Sequence, residues 1–316
     1  MASRGIPLDT AAIFSTAMEG ILYGFSVLMF VGTMWALTRK RRMKEINRTN
    51  TVVAFMLLIL STAHMIVDII HLEEGLVTYR DTFPGGPAAF FADVTQITFV
   101  VKNIIYILQT MLGDGMVIYR CYVVWQSVWV IIVPSLLWLG MTVGGYGAVY
   151  SISKATSEAG NIFAPATGQW ITIFYAMSLA SNLLTSGFLA YRIWRMERNI
   201  SAFRTSNNSM MPIVRVLADA AILYSVTLLS ALVCFAEANN GQYVVLDMTM
   251  PIISIAFYMI IIRVAMKTTS YNNTSTIGMG TETAREIPQQ YHIKRMPVEV
   301  HISQITHQDQ TSKSAY

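Results

Sequence analysis

The sequence predicts an all-α fold: a polytopic membrane protein built as a seven-transmembrane helix bundle. Apolar residues make up 54% of the 316 residues and charged residues only 13%, whereas roughly a quarter of a soluble domain is charged. The apolar residues also gather into long runs, and a helix needs about 20 mostly apolar residues to cross a bilayer. We therefore predict spans at about 11–37, 51–72, 94–118, 127–150, 169–191, 213–238 and 243–264.

The third span is the least apolar of the seven because it contains Lys102, Asn103 and Asp114. Its residues 97–112 are still too apolar for a surface helix. The chain does not open on a charged segment followed by a short apolar one and a cleavage site, so we expect the first span to act as its own signal anchor. Residues 1–265 form the predicted membrane domain. Residues 266–316 are polar with few aromatics and predict a disordered cytoplasmic tail.

The basic residues predict the orientation. Loops 38–50 and 192–215, the turn 118–126 and the tail after 262 together hold 18 of the 22 Lys and Arg residues. Only three lie on the other side, which predicts an outside N-terminus and a cytoplasmic C-terminus. The net charge of +4 then reflects topology, and the expected partner of these residues is the lipid bilayer rather than a nucleic acid. The membrane is either the plasma membrane or an endomembrane.

Four ionisable residues lie at similar depths in the first three spans. Counting 1.5 Å per residue from the outer ends places Glu19, His64 and Lys102 about 12 Å deep and Asp68 about 6 Å deep. A buried lysine requires a carboxylate, and we expect Glu19 or Asp68 to supply it. The group predicts either an outward-facing polar pocket, which binds a small-molecule ligand or passes a proton, or an ion pair that fixes helix packing. Both interpretations remain open.

Two further acids lie near the outer ends of the last two spans. Glu237 lies near the end of span six and Asp247 near the start of span seven. Both can rim the same pocket, but the expected position of each is the water interface.

A second polar group is predicted on the cytoplasmic side. It consists of Asp114, Tyr119, Arg120 and Asp219. Asp114 and Arg120 are six residues apart and do not share a helix face, whereas Asp219 can pair with Arg215 at i, i+4. Arg120 is expected to anchor the end of span three at the lipid headgroups, with a switch role as the alternative. A cytoplasmic signalling partner would meet the chain at loops 38–50 and 192–215.

No catalytic motif is recognisable, so the chain is predicted not to be an enzyme and to carry no cofactor or metal. His-Glu-x-x-His, Gly-x-Ser-x-Gly and a Gly-rich phosphate loop are all missing from the sequence. Span seven has no lysine, which excludes a retinal protein. His64, Asp68 and His71 share one helix face, and such a set can hold a metal. An intramembrane metal-dependent hydrolase is therefore one alternative, and a small-molecule or proton transporter is another.

Several short motifs point to one family. They are Gly113-Asp114, Tyr119-Arg120, Trp125, residues 251–258 (PIISIAFY) and residues 261–263 (IIR). This combination resembles a group of uncharacterised seven-span integral membrane proteins of mushroom-forming (basidiomycete) fungi, over roughly residues 11–265. The tail stretch 298–302 (VEVHI) is similar as well. The resemblance implies a receptor-like bundle, although the Tyr-Arg order differs from the Asp/Glu-Arg-Tyr of rhodopsin-like receptors.

Overall fold

The computed structural model describes residues 5–38, 48–153, 165–201 and 211–277. All regular structure in these ranges is helical. The α-helices, in chain order, are α1 (Leu8–Thr38), α2 (Arg48–Glu73), α3 (Gly86–Ala92), α4 (Ile97–Trp125), α5 (Val128–Ser153), α6 (Pro165–Ser201), α7 (Met211–Ala236) and α8 (Gly241–Ile277). A π-helical turn, Glu74–Thr78, extends α2.

Six of the described helices are long and apolar enough to cross a membrane: α1, α2 with its π-helical turn, α5, α6, α7 and α8. Helices α3 and α4 pass the same test only together, and a bend of 41° separates them. The number of spans is therefore six, or seven if this bent pair is one span. The prediction of an all-helical, multi-pass membrane protein is confirmed at this level.

The surface of the bundle carries many large apolar side chains. Large aliphatic side chains on many helices are 60% exposed or more, among them Ile21, Leu28, Ile59, Leu136 and Ile222. The buried residues, by contrast, include glutamate, aspartate, lysine and histidine. In water a charged residue is almost never fully buried and apolar side chains collect inside. A bilayer supports this arrangement because its hydrocarbon satisfies the apolar surface.

Contacts between side chains give the relative direction of α1 and α2 and of α4 and α8, and show which other helices are neighbours. Glu19 and Thr16 of α1 meet His64 and Asp68 of α2 in reversed order, so α1 and α2 are antiparallel. Trp138 of α5 donates to Met111 O of α4, and Asn182 of α6 donates to Ser225 of α7, both 3.0 Å or less. Helix α8 runs parallel to α4. We call the end that holds the start of α1 the first end of the bundle and the opposite end the second end.

Glycines let α5 approach α6 closely. A Cβ atom at Gly144 would lie 3.1 Å from the backbone nitrogen of Phe174, and one at Gly147 would lie 2.6 Å from the Trp170 ring. Gly140 faces Met177 on the same helix pair. The Gly140–Gly144 motif therefore serves packing within this chain, where small residues allow close helix approach.

The helix bounds correct three details of the predicted organisation. Helix α4, which covers most of the predicted third span, begins at Ile97 and continues to Trp125, so Arg120 lies inside α4. The turn follows at Gln126, whose φ is 52°. Helix α3 was not predicted; it is a short helix that begins after Gly85, whose φ is 92°, and has a proline in its first turn. Helix α8 continues to Ile277, so residues 266–277 are helical rather than part of a disordered tail.

Some predicted features fall outside the described residues. They are most of the two basic loops, at 39–47 and 202–210, and the tail from 278, including the stretch 298–302.

Candidate functional site

Four helices bring five ionisable side chains together near the first end of the bundle. They are Glu19 from α1, His64 and Asp68 from α2, Lys102 from α4 and Asp247 from α8. We call these five residues the charge cluster. Each is at most 6% exposed. The charge cluster thus links helices from the start of the chain (α1 and α2), from its middle (α4) and from its last span (α8).

Lys102 lies at the centre of the charge cluster. Its Nζ donates to Asp68 Oδ1 at 2.5 Å and to Asp247 Oδ2 at 2.7 Å. Two hydroxyls of α1 complete the arrangement: Thr16 donates to Asp68 Oδ2 at 2.6 Å, and Ser15 donates to Asp247 Oδ2. One ammonium is therefore shared by two carboxylates, and each carboxylate also accepts from α1.

Glu19 pairs with His64 instead of Lys102. Glu19 Oε1 lies 2.7 Å from His64 Nδ1. The other ring nitrogen, Nε2, faces Asp247 Oδ1 at 4.0 Å, which is too long for a hydrogen bond. Of the two partners expected for Lys102, the structure brings Asp68 to it and gives Glu19 to the histidine.

The expected position of Asp247 at the water interface is wrong. The residue is 1% exposed and accepts from both Lys102 and Ser15. The reason is direction rather than depth: its side chain points between α1 and α4, which its place in the sequence does not reveal. Glu237, by contrast, is exposed just beyond the end of α7.

A neutral polar layer lies deeper in the bundle, on the second-end side of the charge cluster. Gln109 of α4 donates from Nε2 to Met250 O at 2.6 Å and to Ser61 and Ser254 at 3.0 and 3.1 Å. The same amide thus ties α4 to α2 and α8. One amide group cannot make three ideal bonds, so the serine contacts share its hydrogens.

The buried face of α4 carries polar residues at intervals of four. These are Lys102, Tyr106, Thr110 and Asp114, all 6% exposed or less. Asp114 Oδ2 accepts from Ser178 of α6 at 2.8 Å, and Ser178 is 3.2 Å from the Tyr224 hydroxyl. The hydroxyls of Tyr106 and Thr110 interact with each other but make no hydrogen bond of good geometry in the described part of the chain. Sequence reasoning overlooked this row, although its four-residue spacing is visible in the sequence.

Two narrow cavities flank the Lys102–Asp247 pair, and both are also lined by Phe99 and Tyr243. The first lies between α4, α5, α6 and α8 and measures about 40 Å³. The second lies beside α1, α2 and α3 and measures about 30 Å³. Each has room for water.

A larger recess of about 380 Å³ opens at the second end, between α1, α2, α4, α6, α7 and α8. Tyr119 and Arg120 both line it. The Arg120 guanidinium lies over the Phe257 ring at 4.4 Å, and its two terminal nitrogens make no hydrogen bond in the described ranges. Position 120 lies on the inner face of α4. Arg120 therefore points into the bundle and not outward to the lipid headgroups.

The remaining second-end prediction concerns Asp219. The residue is exposed on α7, and in the part of the chain that the structure describes no ion pair joins it to Arg215. Asp219 is therefore separate from the buried group around Asp114.

The predicted His64–Asp68–His71 metal set does not assemble. His71 Nδ1 lies 2.8 Å from Thr98 Oγ1, and its ring packs among Phe90, Phe91 and Phe99. Helix α3 supplies Phe90 and Phe91 to this ring cluster, and α4 supplies Phe99. A different set of possible ligands does meet: one oxygen each of Glu19, Asp68 and Asp247 lies within 4.8 Å of the other two.

Comparison with models of known families, with curated proteins and with solved structures gives no match. The resemblance to the fungal seven-span group therefore stays a prediction. What the fold and the site define is a class: a multi-pass helical membrane protein with a buried charge cluster.

Proposed function

We propose that this protein is a receptor-like, non-enzymatic seven-helix membrane protein that binds a small molecule beside the charge cluster. In this proposal α3 and α4 count as one bent span, and the first end faces outward. The excess of Lys and Arg in the loops of the other side supports this orientation. The cavity between α4, α5, α6 and α8 is then reached from outside.

The observation that carries the proposal is a pair of unsatisfied polar atoms in that cavity. Tyr106 Oη and Gln242 Oε1 are buried, line the cavity and make no hydrogen bond of good geometry among the described residues, although Thr110 and Tyr175 are their polar neighbours. A buried polar group without a partner costs roughly 1–3 kcal/mol. A ligand that accepts from the tyrosine and donates to the amide oxygen would recover this cost.

The other walls of the cavity set the chemistry of the ligand. They are largely aromatic and aliphatic, with Phe99, Ile107, Ile152 and Phe174 among them. Lys102 and Asp247 already neutralise each other at one side, so no ligand charge is required there. The ligand class that fits is a small, uncharged, mostly apolar molecule with a hydroxyl or amide group.

Because the cavity is small, binding a ligand there requires the protein to change shape. Its 40 Å³ is well below the ~150 Å³ of an engineered cavity that accepts benzene. A ligand larger than water must therefore displace side chains of α4, α6 or α8. Helix α4 runs from this cavity to the recess that contains Arg120, where a cytoplasmic signalling partner would bind. The same helix can thus transmit the displacement.

Tyr106→Phe tests the ligand site. The hydroxyl makes no hydrogen bond of good geometry with a described residue, so we expect the melting temperature of the purified protein to stay close to that of the wild type. Affinity for a ligand found by thermal-shift screening of small alcohols and amides should fall about 2–10-fold, the worth of one hydrogen bond. Titration calorimetry measures it.

Tyr146→Phe is the matched control, because Tyr146 is 54% exposed on α5 and does not line the cavity. Equal affinities of the Tyr106→Phe variant and the wild type would place the ligand elsewhere. A screen in which no compound of this class raises the melting temperature would contradict the proposed ligand class.

Proton passage is a second candidate function, favoured by the polar row on α4. Lys102, Tyr106, Thr110 and Asp114 lead from the first-end cavities to a third cavity of about 40 Å³, which Asp114 lines. The hydroxyls of Tyr106 and Thr110 make no hydrogen bond of good geometry in the described ranges, and water beside them could relay a proton.

Proteoliposomes with an entrapped pH-sensitive dye test this second candidate. Under an imposed potential, wild-type protein should acidify or alkalise the lumen, and Asp114→Asn should remove most of that flux because it removes the ionisable group at the end of the row. Asp219→Asn, which changes an exposed acid, should conduct as the wild type does. Wild-type flux no greater than that of empty liposomes excludes proton passage.

A further inference from the structure

A row of aromatic rings lies at the second end of the bundle, where the last turn of α4 meets α6. The rings are Trp125 of α4 and Tyr191 and Trp194 of α6. The Trp125 and Tyr191 rings are stacked with centroids 6.5 Å apart, and the centroids of Tyr191 and Trp194 are 6.2 Å apart. Tyr191 and Trp194 are 49% and 40% exposed, so the row faces the surroundings of the bundle. We call these three residues the aromatic row.

A hydrogen bond fixes the first ring of the aromatic row. Trp125 Nε1 donates to Phe188 O of α6 at 3.0 Å. This bond holds the indole between α4 and α6 and leaves a face of the ring for another group. The Arg192 guanidinium occupies such a face, with its Cζ atom 5.1 Å from the ring centroid.

The guanidinium of Arg192 has no other partner in the described ranges. A cation over an aromatic face is attracted by the ring but uses no N–H donor for that contact. Arg192 Nε is buried without a hydrogen bond, and no acid pairs with the guanidinium in the part of the chain that the structure describes. The side chain as a whole is partly exposed. Arginine is always charged and carries five N–H donors in a planar fork, so this fork is left for a ligand.

The residues around Arg192 favour an anion. Arg195 follows three positions later on the same side of α6, and it is exposed. Residues 119–136 of α4 and α5 and residues 186–196 of α6 contain no Asp or Glu. The nearest acid along α6 is Glu197, five residues after Arg192, and this spacing does not put two residues on one helix face. The local charge is therefore positive.

The position of the aromatic row along the helices favours a lipid over a soluble anion. Arg192 directly follows the predicted span 169–191, and Trp125 is the last residue of α4. Both therefore lie where hydrocarbon meets the headgroups, the level at which Trp and Tyr collect in membrane proteins. Val123 and Val128, on either side of Trp125 in the sequence, are 50% and 59% exposed and offer acyl chains an apolar surface.

We propose that Arg192 and Arg195, beside the aromatic row, bind the phosphate of an anionic phospholipid. Planar guanidinium donors match phosphate oxygens in pairs. The basic loops predict that the second end is cytoplasmic, and the cytoplasmic leaflet is the one that holds anionic lipids. An aromatic belt alone would not distinguish headgroups by charge, whereas a positioned arginine fork does. The proposal does not depend on the ligand proposed for the first end.

Native mass spectrometry of the purified full chain tests this site. The protein is titrated in detergent with phosphatidylglycerol or with phosphatidylcholine of the same acyl chains. We expect one phosphatidylglycerol to stay bound per chain at concentrations where phosphatidylcholine does not. Arg192→Gln removes the charged fork, so the affinity for phosphatidylglycerol should fall about 10-fold or more, the loss expected for a hydrogen bond to a charged group.

Arg215→Gln is the matched control. Arg215 is also an exposed arginine at the second end, but it lies on α7 and is over no aromatic ring in the described ranges. This variant should bind phosphatidylglycerol as the wild type does. Equal affinities of Arg192→Gln and the wild type would overturn the proposal.

Two measurements on the wild type keep the test decisive if Arg192→Gln does not fold. Equal retention of phosphatidylglycerol and phosphatidylcholine would show that headgroup charge is not recognised, and this result overturns the proposal. Glycerol 3-phosphate, which carries the phosphate without acyl chains, should not displace the bound lipid. Displacement at concentrations similar to those of the lipid would identify a site for a soluble anion instead.

Discussion

Replacing Lys102 with alanine is expected to lower the free energy of unfolding by about 3–5 kcal/mol, the usual cost of breaking a buried ion pair from one side. The lysine is the shared donor of Asp68 and Asp247. Without the lysine, the buried carboxylates of Asp68 and Asp247 keep only the hydroxyls of Thr16 and Ser15 as hydrogen-bond donors. We expect poor yield and a melting temperature well below that of the wild type in the same detergent.

The triple variant Lys102→Met, Asp68→Asn, Asp247→Asn separates lost charge balance from lost packing. It removes all three charges and keeps similar volumes, so it should recover a large part of the stability. Lys102→Arg, which keeps the charge, should be less harmful than alanine. A triple variant as unstable as Lys102→Ala would show that the shape of the lysine matters and its charge does not.

Gly144→Leu is expected to be the next most damaging single change, costing about 1–3 kcal/mol. Any Cβ at this position already lies 3.1 Å from the Phe174 backbone nitrogen and 3.2 Å from Ile173 Cγ2. The backbone of α6 cannot move aside as a flexible side chain could, so a leucine must separate α5 from α6. Thermal unfolding of the purified protein measures the effect.

Gly187→Leu on α6 is the matched control, since a Cβ there meets nothing within 4 Å. It places the same side chain on the outside of the bundle, where lipid accommodates it. We expect a melting temperature close to that of the wild type. Similar losses from both leucines would mean that glycine acts through the helix backbone and not through the α5–α6 contact.

The sequence was sufficient to predict the helices because length and apolarity are local properties. The predicted bounds of α1, α2 and α5 differ from the observed ones by three residues or fewer. Helix α3 was missed since seven residues between two spans give no periodic signal. Its role is apparent only in three dimensions, where Phe90 and Phe91 pack on His71.

The charge cluster could be predicted only by depth. Counting residues placed Glu19, His64, Asp68 and Lys102 in one region of the bundle, where the structure also has them. Depth does not give the direction of a side chain, so the division into Glu19–His64 and Lys102–Asp68 pairs was out of reach. For the same reason Asp247 was assigned to the water interface.

The charge cluster also constrains the order in which the protein can be made. Lys102 emerges from the ribosome with α4, whereas its partner Asp247 is translated about 145 residues later, in the last span. During that interval a nascent chain in the bilayer holds a lysine with one of its two carboxylates missing. Insertion of the final helix is therefore the step that completes the hydrogen bonds of Lys102. A chain truncated before α8 would leave this ammonium with only one of its two carboxylate partners inside the membrane.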